Sequence, residues 1–235
     1  MPQPNANLYL FVDSLLYLMQ ASILIPMAVV WWRRQHFSRP VKLLSWYVYL
    51  SLISSVLADF FRYGIPPSNH LYLIGFNCAK LALIGAVYYL ALPNVKLRRL
   101  IPVLVVAVLA SVLLVTQQDT DLAISVSRIA QFTLLAACAI LYLDNFLDRS
   151  TGVALSRDPL SLLSIGHLIF TAGTITAISL QYLALTKQDE YPQVIALSVN
   201  GLVFNCFLTL AFLRARSSGV AAASQRGATA QLAGN

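Results

Sequence analysis

The sequence predicts an all-α, polytopic membrane protein with seven transmembrane helices. Of its 235 residues, 58% are hydrophobic and 11% are charged, whereas soluble domains carry roughly a quarter charged residues. The apolar residues are gathered in seven blocks, each long enough to cross a hydrocarbon layer of ~30 Å as a helix. These observations exclude a soluble enzyme, a nucleic-acid-binding domain and a disordered chain, and they make the lipid bilayer the first expected partner.

Each block has the length and the apolar character of a helix, because a membrane β-barrel would show alternating segments of ~10 residues. The first block ends at Arg33-Arg34, as a membrane anchor does. The second and sixth blocks open near Pro40 and Pro159, each preceded by Ser or Asp, which is a favourable helix start. In chain order, the blocks cover about 8–32, 41–63, 71–92, 100–116, 122–147, 159–185 and 191–213.

The cations are concentrated in alternate connections, namely those that follow blocks one, three, five and seven. The other connections carry Arg62 beside block two, no cation in 117–121, and Lys187 beside two acidic residues. Short loops rich in Lys and Arg stay in the cytoplasm. The sequence therefore predicts a multi-pass protein of the inner (plasma) membrane, with the amino terminus outside and the carboxyl terminus cytoplasmic. The concentrated cations are Arg33, Arg34, Arg39, Lys42, Lys96, Arg98, Arg99, Arg149, Arg157, Arg214, Arg216 and Arg226.

The predicted domain organisation is one seven-helix transmembrane domain over 1–216 and a short tail. Residues 1–7 carry no cationic segment and the first block is too long for a signal sequence, so we expect no cleavable signal peptide. The connections are short, which leaves no room for a further domain between the helices. Residues 217–235 are rich in Ala, Ser, Gly and Gln, and we expect a disordered cytoplasmic tail.

Two pairs of similar segments suggest an internal duplication. Segment 38–45 at the start of block two resembles segment 156–164 at the start of block six, and Phe76-Asn77-Cys78 is repeated as Phe204-Asn205-Cys206. One interpretation is a 3+1+3 plan, with units 8–92 and 122–213 joined by a linker helix 100–116. The alternative is that good helix capping and the positive-inside rule produced the similarity without duplication.

Ionisable side chains inside the blocks mark candidate sites, since each costs at least ~2.5–3.5 kcal/mol in a bilayer unless it is paired or hydrated. Asp13, Asp59, Lys80 and Arg128 all fall in the predicted outer half of the membrane, and their charges balance. The Lys80 ammonium can reach toward either carboxylate, which leaves the other for Arg128. The arrangement is either an outward-facing ligand pocket or a structural ion-pair network. Amides at comparable depth are Asn77, Gln131 and Asn200.

A second group of candidates consists of His167, Gln181 and Asn205. A lone buried His is more often bonded to a neighbouring helix than catalytic. The three cysteines lie singly in apolar blocks, so no metal site and no cofactor is expected. The sequence contains no nucleophile–base pair and no phosphate loop, and this makes an enzyme the weakest of the functional interpretations.

Two resemblances bear on function. Through the segments 69–72, 157–159 and 165–167, the chain is similar to uncharacterised bacterial seven-helix proteins that resemble the membrane sensor regions of histidine kinases, although Lys80 stands where those proteins are expected to carry a glutamate. The 3+1+3 plan also looks like SWEET-type sugar transporters, which place an Asn in the third and seventh helices. In this chain Asn77, with Asn200 or Asn205, matches that pattern.

The two hypotheses follow from these resemblances and from the buried charges. The first is a receptor-like or sensory protein that binds an unknown small molecule in the outer pocket and signals to a cytoplasmic partner. The second is a small-solute transporter with a site at the membrane midplane between the two three-helix units. Few polar residues are expected in the inner half of the membrane, and this favours sensing over transport.

Overall fold

The regular elements of the computed structural model are all helical. It describes residues 6–64, 69–149, 154–183 and 191–215, and some side chains within these ranges, including those of 58–64 and 178–183, are not described. The described residues form eight α-helices and two 3₁₀ turns, Arg34–His36 and Leu155–Arg157. The α-helices are α1 (Ala6–Ser22), α2 (Leu24–Arg33), α3 (Arg39–Gly64), α4 (Asn69–Ala91), α5 (Val95–Thr116), α6 (Thr120–Arg149), α7 (Pro159–Leu183) and α8 (Tyr191–Arg214).

The predicted number of membrane spans is confirmed for the described part of the chain. Seven helical segments are long and apolar enough to cross a membrane. Their outer surfaces are apolar, and large side chains such as Trp31 and Trp32 are almost fully exposed. A surface of this kind suggests contact with a lipid bilayer and indicates a multi-pass membrane protein. The predicted tail 217–235 lies outside the described residues.

The first span is interrupted at Ile23, where α1 ends and α2 begins. Pro26 has no N–H to donate to the carbonyl of Ser22, so one helical hydrogen bond is missing there. Ile23 N instead donates to Gln20 O, three residues earlier, at 3.3 Å, which makes a tighter turn than the α-helix. The helical pattern resumes with Met27 N, which donates to Ile23 O at 3.2 Å. The proline therefore explains why one predicted block becomes two helices.

Six spans form a closed ring and the seventh lies outside it. Going round the ring, α8 packs against α1 and α2 on one side and against α7 on the other, then α7 packs against α6, α6 against α4, α4 against α3, and α3 against α2. Helix α5 packs mainly against α4 and α6. The arrangement encloses one main apolar core, which receives side chains from every span.

One end of the bundle is basic. It is formed where α2, α4, α6 and α8 end and where α3, α5 and α7 begin, and we call it the basic end. At this end Arg33 donates from Nη1 to Leu213 O and from Nη2 to Ala215 O at 3.3 Å, which satisfies carbonyls at the end of α8. The described side chains with positive charge at this end are Arg33, Arg34, Arg39, Lys42, Lys96, Arg98, Arg99, Arg157 and Arg214.

A buried lysine among aromatic rings

The closest helix packing near the candidate site is between α7 and α8, and two glycines of α7 permit it. A Cβ atom on Gly173 would lie 2.7 Å from the side chain of Asn200, and one on Gly166 would lie 2.7 Å from Phe207 Cβ. Small residues allow membrane helices to approach this closely. As a result Asn200 reaches across the interface and donates from Nδ2 to Phe170 O at 2.6 Å and to Thr174 Oγ1 at 3.2 Å.

Lys80 lies inside the ring of helices and is 8% exposed. Its Nζ atom is 5.2 Å from the ring centroid of Tyr47 on α3 and 5.2 Å from that of Phe170 on α7. Both rings contact Phe204 of α8, with centroid distances of 5.9 Å and 5.3 Å. We call Tyr47, Phe170 and Phe204 the aromatic cluster. Two of its members, Tyr47 and Phe170, turn the negative faces of their π-systems toward the ammonium, and such faces attract a cation.

The ion pairs that the sequence predicts for Lys80 are not formed among the described residues. Asp13 is half-buried on α1, whose main packing partner is α8, whereas Lys80 lies on α4. The side chain of Asp59 lies outside the described residues. Arg128 is exposed on α6, whereas Gln131, one turn further along, is buried. Among the three side chains that are described, Asp13, Lys80 and Arg128, no ion pair is formed, and the predicted pairs with Asp59 lie outside the described residues.

The three asparagines lie in three different helix interfaces. Besides Asn200 between α7 and α8, Asn77 donates from Nδ2 to Ser127 Oγ of α6 at 3.1 Å. Asn205 donates from Nδ2 to Ser22 Oγ of α1 at 2.6 Å. Each asparagine thus satisfies a polar group inside the membrane region and holds two helices together. Asn200 is joined to the aromatic cluster by its hydrogen bond to the backbone carbonyl of Phe170.

His167 is buried beside the aromatic cluster. Its ring centroid is 4.9 Å from that of Phe204, and its Nδ1 atom is 3.3 Å from Leu163 O. Its Nε2 atom has no hydrogen-bond partner among the residues described. Lys80 and His167 both border the aromatic cluster, Lys80 at Tyr47 and Phe170 and His167 at Phe204. The structure therefore places a cation, a ring nitrogen and aromatic faces next to one another.

Further polar groups that the sequence did not single out lie on the basic side of His167. Tyr88 OH and Ser164 Oγ are 3.1 Å apart, and Tyr142 OH donates to Asp158 Oδ2 at 2.9 Å. The spacing of three residues between Ser161, Ser164 and His167 was a signal that these side chains follow one another along α7. The aromatic cluster left no such signal, because its members come from three helices that are distant in sequence.

The residues that the structure covers contain no set of ligands for a metal ion, since no three His, Cys, Asp or Glu side chains come together there. The side chain of Gln181 is not among those described. The arrangement at Lys80 is suited to holding an anion, because it offers a positive charge in a site from which water is largely excluded. No protein-family model, curated protein or solved structure matches the chain.

Proposed function

We propose that the protein is a receptor-like membrane protein that binds a small anionic molecule at Lys80, between α3, α4, α7 and α8. The observation that carries the proposal is a buried ammonium that faces the rings of Tyr47 and Phe170 and forms no ion pair with any described carboxylate. Taking an ion out of water costs several kcal/mol, and cation–π contacts return about 2 kcal/mol when desolvated. An anion that pairs with Lys80 supplies the stabilisation that the rings do not.

The neighbouring polar groups favour a carboxylate or a similar oxyanion. His167 Nε2 and Thr171 Oγ1 are buried and have no hydrogen-bond partner within the described ranges, and the two residues are one turn apart on α7. The Thr171 hydroxyl can donate to an oxygen that Lys80 neutralises. The His167 ring donates from Nδ1 to Leu163 O, so its neutral form offers Nε2 as an acceptor for a hydroxyl of the ligand or for a bound water. The aromatic cluster would contact an apolar part of the same molecule.

Binding at this position would act on the packing of the helices. The ligand must enter between α4 on one side and α7 and α8 on the other. It shifts the equilibrium between two packing arrangements of these helices only as far as its affinities for the two arrangements differ. The ends of these helices at the basic end would then move relative to α3 and α5. A signalling partner that recognises the basic end would detect this movement, and an acidic surface on the partner fits the nine described cations there.

The proposed orientation places the basic end in the cytoplasm and the amino terminus outside. The support is the positive-inside rule applied to the connections at the two ends of the bundle. In a bacterium the corresponding location is the inner membrane. Fusions of a cytoplasm-active fluorescent protein and of a periplasm-active phosphatase to the carboxyl terminus test this orientation. Fluorescence without phosphatase activity is expected, and the reverse result contradicts it.

A ligand titration tests the anion site directly. Purified protein in detergent is heated with increasing concentrations of acetate, benzoate or inorganic phosphate. At a hundredfold excess over the dissociation constant, a bound anion stabilises the folded state by about 2.7 kcal/mol. We expect stabilisation of the wild type by at least one of these anions and none of the variant Lys80→Met.

The matched control is Lys42→Met, which removes an exposed lysine at the basic end of α3. It should respond to the anion as the wild type does. If Lys80→Met and the wild type are stabilised equally, the anion binds elsewhere and the proposed site is wrong.

A transporter is the second candidate, and one observation favours it. The Asn77–Ser127 and Asn205–Ser22 hydrogen bonds join the third helix of each predicted unit to the first helix of the other unit, as expected for two related halves. Flux of a labelled carboxylate into proteoliposomes distinguishes the two functions. Uptake by the wild type that Lys80→Met abolishes would support transport over sensing.

A further inference from the structure

Polar side chains follow one another along α7 from the basic end to the centre of the bundle. They occur at intervals of three or four residues, so that each is one helical turn from the next. Apart from the first, which immediately precedes the helix, all of them are buried. We call this series of side chains the polar stripe of α7. Its members are Asp158, Ser161, Ser164, His167, Thr171 and Thr174.

Tyrosines of the neighbouring helices α4 and α6 contact the stripe through their hydroxyl groups. At the basic end, Tyr142 of α6 donates to Asp158 Oδ2, which also accepts from the backbone N–H of Ser161 at 2.7 Å. One turn deeper, Tyr88 of α4 lies 3.1 Å from Ser164 Oγ. The rings of Tyr88 and Tyr142 are 6.1 Å apart. Hydroxyl and carboxylate groups therefore accompany α7 from its first residue to His167.

Several groups in the stripe lack protein partners. Seven buried side-chain polar atoms of the described residues have no hydrogen-bond partner, and three of them are Ser161 Oγ, His167 Nε2 and Thr171 Oγ1. In a dry apolar environment each such atom costs free energy of folding, because its hydrogen bonds to water are lost and not replaced. Proteins satisfy groups of this kind with internal water. The concentration of these atoms on one stripe of one helix points to a common reason.

We propose that the polar stripe of α7 holds a file of internal water molecules that connects His167 with the basic end. The file begins at Asp158, runs along the directly bonded hydroxyls of Tyr88 and Ser164, and ends at His167 beside the aromatic cluster. Hydroxyls and waters in a hydrogen-bonded row can both donate and accept, so the same path delivers protons to the central site. His167 would thereby exchange protons and water with the face that carries the basic end.

Hydroxyl-radical footprinting tests the water file without any substitution. A millisecond X-ray pulse generates radicals from bulk and internal waters, and mass spectrometry measures the oxidation of each residue. Tyr88 and Phe212 are both aromatic and both 0% exposed, but Phe212 is stacked on Phe37 in the apolar core. We expect Tyr88 to be oxidised several-fold faster than Phe212. Equal and low rates at the two residues would overturn the proposal.

A variant locates the file. Ser164→Val replaces the hydroxyl beside Tyr88 with a methyl group, and it should lower the oxidation of Tyr88 to the rate of Phe212. The control Thr176→Val removes an exposed hydroxyl of α7 that is bonded back to Ala172 O, and it should leave the rate at Tyr88 unchanged. An unchanged rate in folded Ser164→Val contradicts the proposed path. The outcome does not depend on ligand binding, so failure of the anion titration would leave it intact.

Discussion

Replacing Lys80 by methionine should stabilise the unliganded protein. Methionine is unbranched like lysine and fits an apolar site without a charge. A charged side chain inside a bilayer costs at least ~2.5–3.5 kcal/mol. Against this, the contacts of Nζ with Tyr47 and Phe170, each at 5.2 Å from the ring centroid, return about 2 kcal/mol. The difference predicts a gain of roughly 1 kcal/mol in the free energy of unfolding for Lys80→Met.

Thermal unfolding in detergent measures this gain. The appearance of free thiols can follow the transition, because Cys138 is buried and Cys78 is half-buried in the folded protein. For a chain of this length, 1 kcal/mol corresponds to a rise of about 2–4 °C in Tm. The exposed control Lys42→Met should stay within about 0.5 kcal/mol of the wild type.

The opposite result would be equally informative. A loss of stability of 1 kcal/mol or more in Lys80→Met would mean that the ammonium has a stabilising partner, and the argument for an uncompensated charge would fail. Lys80→Arg provides a further comparison, since it keeps the charge while changing the shape of the group that faces the rings. It should not give the gain expected of methionine.

Three further predictions use the same unfolding assay. Gly173→Ala should destabilise the protein by about 1–3 kcal/mol, because its Cβ would lie 2.7 Å from the Asn200 side chain. Gly75→Ala, where no atom lies within 4 Å of the new Cβ, should instead stabilise the protein by about 0.5–1 kcal/mol. Equal effects of the two substitutions would refute the close approach of α7 and α8. Asn205→Ala should cost about 0.6–1.7 kcal/mol, since it removes the hydrogen bond to α1, and no loss would mean that this bond is not formed in solution. Arg33→Gln should cost about 0.3–1 kcal/mol by leaving the last carbonyls of α8 without their cation, an effect that should shrink when salt is added.

The spans were predictable because they depend on composition along the chain. The seven apolar blocks correspond to helices whose ends lie within about five residues of the predicted positions, and block boundaries are the least certain part of such predictions. The break at Ile23 was not predicted, although Pro26 was its signal. A proline within a membrane helix is compatible with continuing the span, so its presence alone does not say whether the helix divides.

The site was only partly predictable, because the sequence gives the depth of a side chain in the membrane but not the side of the bundle that it faces. Lys80 and Arg128 were both assigned to the outer half on this basis, yet Lys80 is buried and Arg128 is exposed. The order of the helices around the ring decides which side of the bundle a residue faces. Neighbours in the ring such as α4 and α6 are not adjacent in sequence. The prediction that few polar groups occupy the half toward the basic end overlooked Ser161 and Ser164.

The position of α8 has a consequence for how the protein is made. This helix contacts α1, α2 and α7, and Arg33 of α2 bonds to its final carbonyls. During synthesis the earlier spans leave the ribosome first, while the gap between the first and sixth spans stays open until the last span has been inserted. Contacts between segments so far apart in the chain form slowly. Completion of the bundle therefore awaits α8, and a nascent chain that stops before it leaves the α7 surface of Gly166, Gly173 and Thr174 without the helix that covers it.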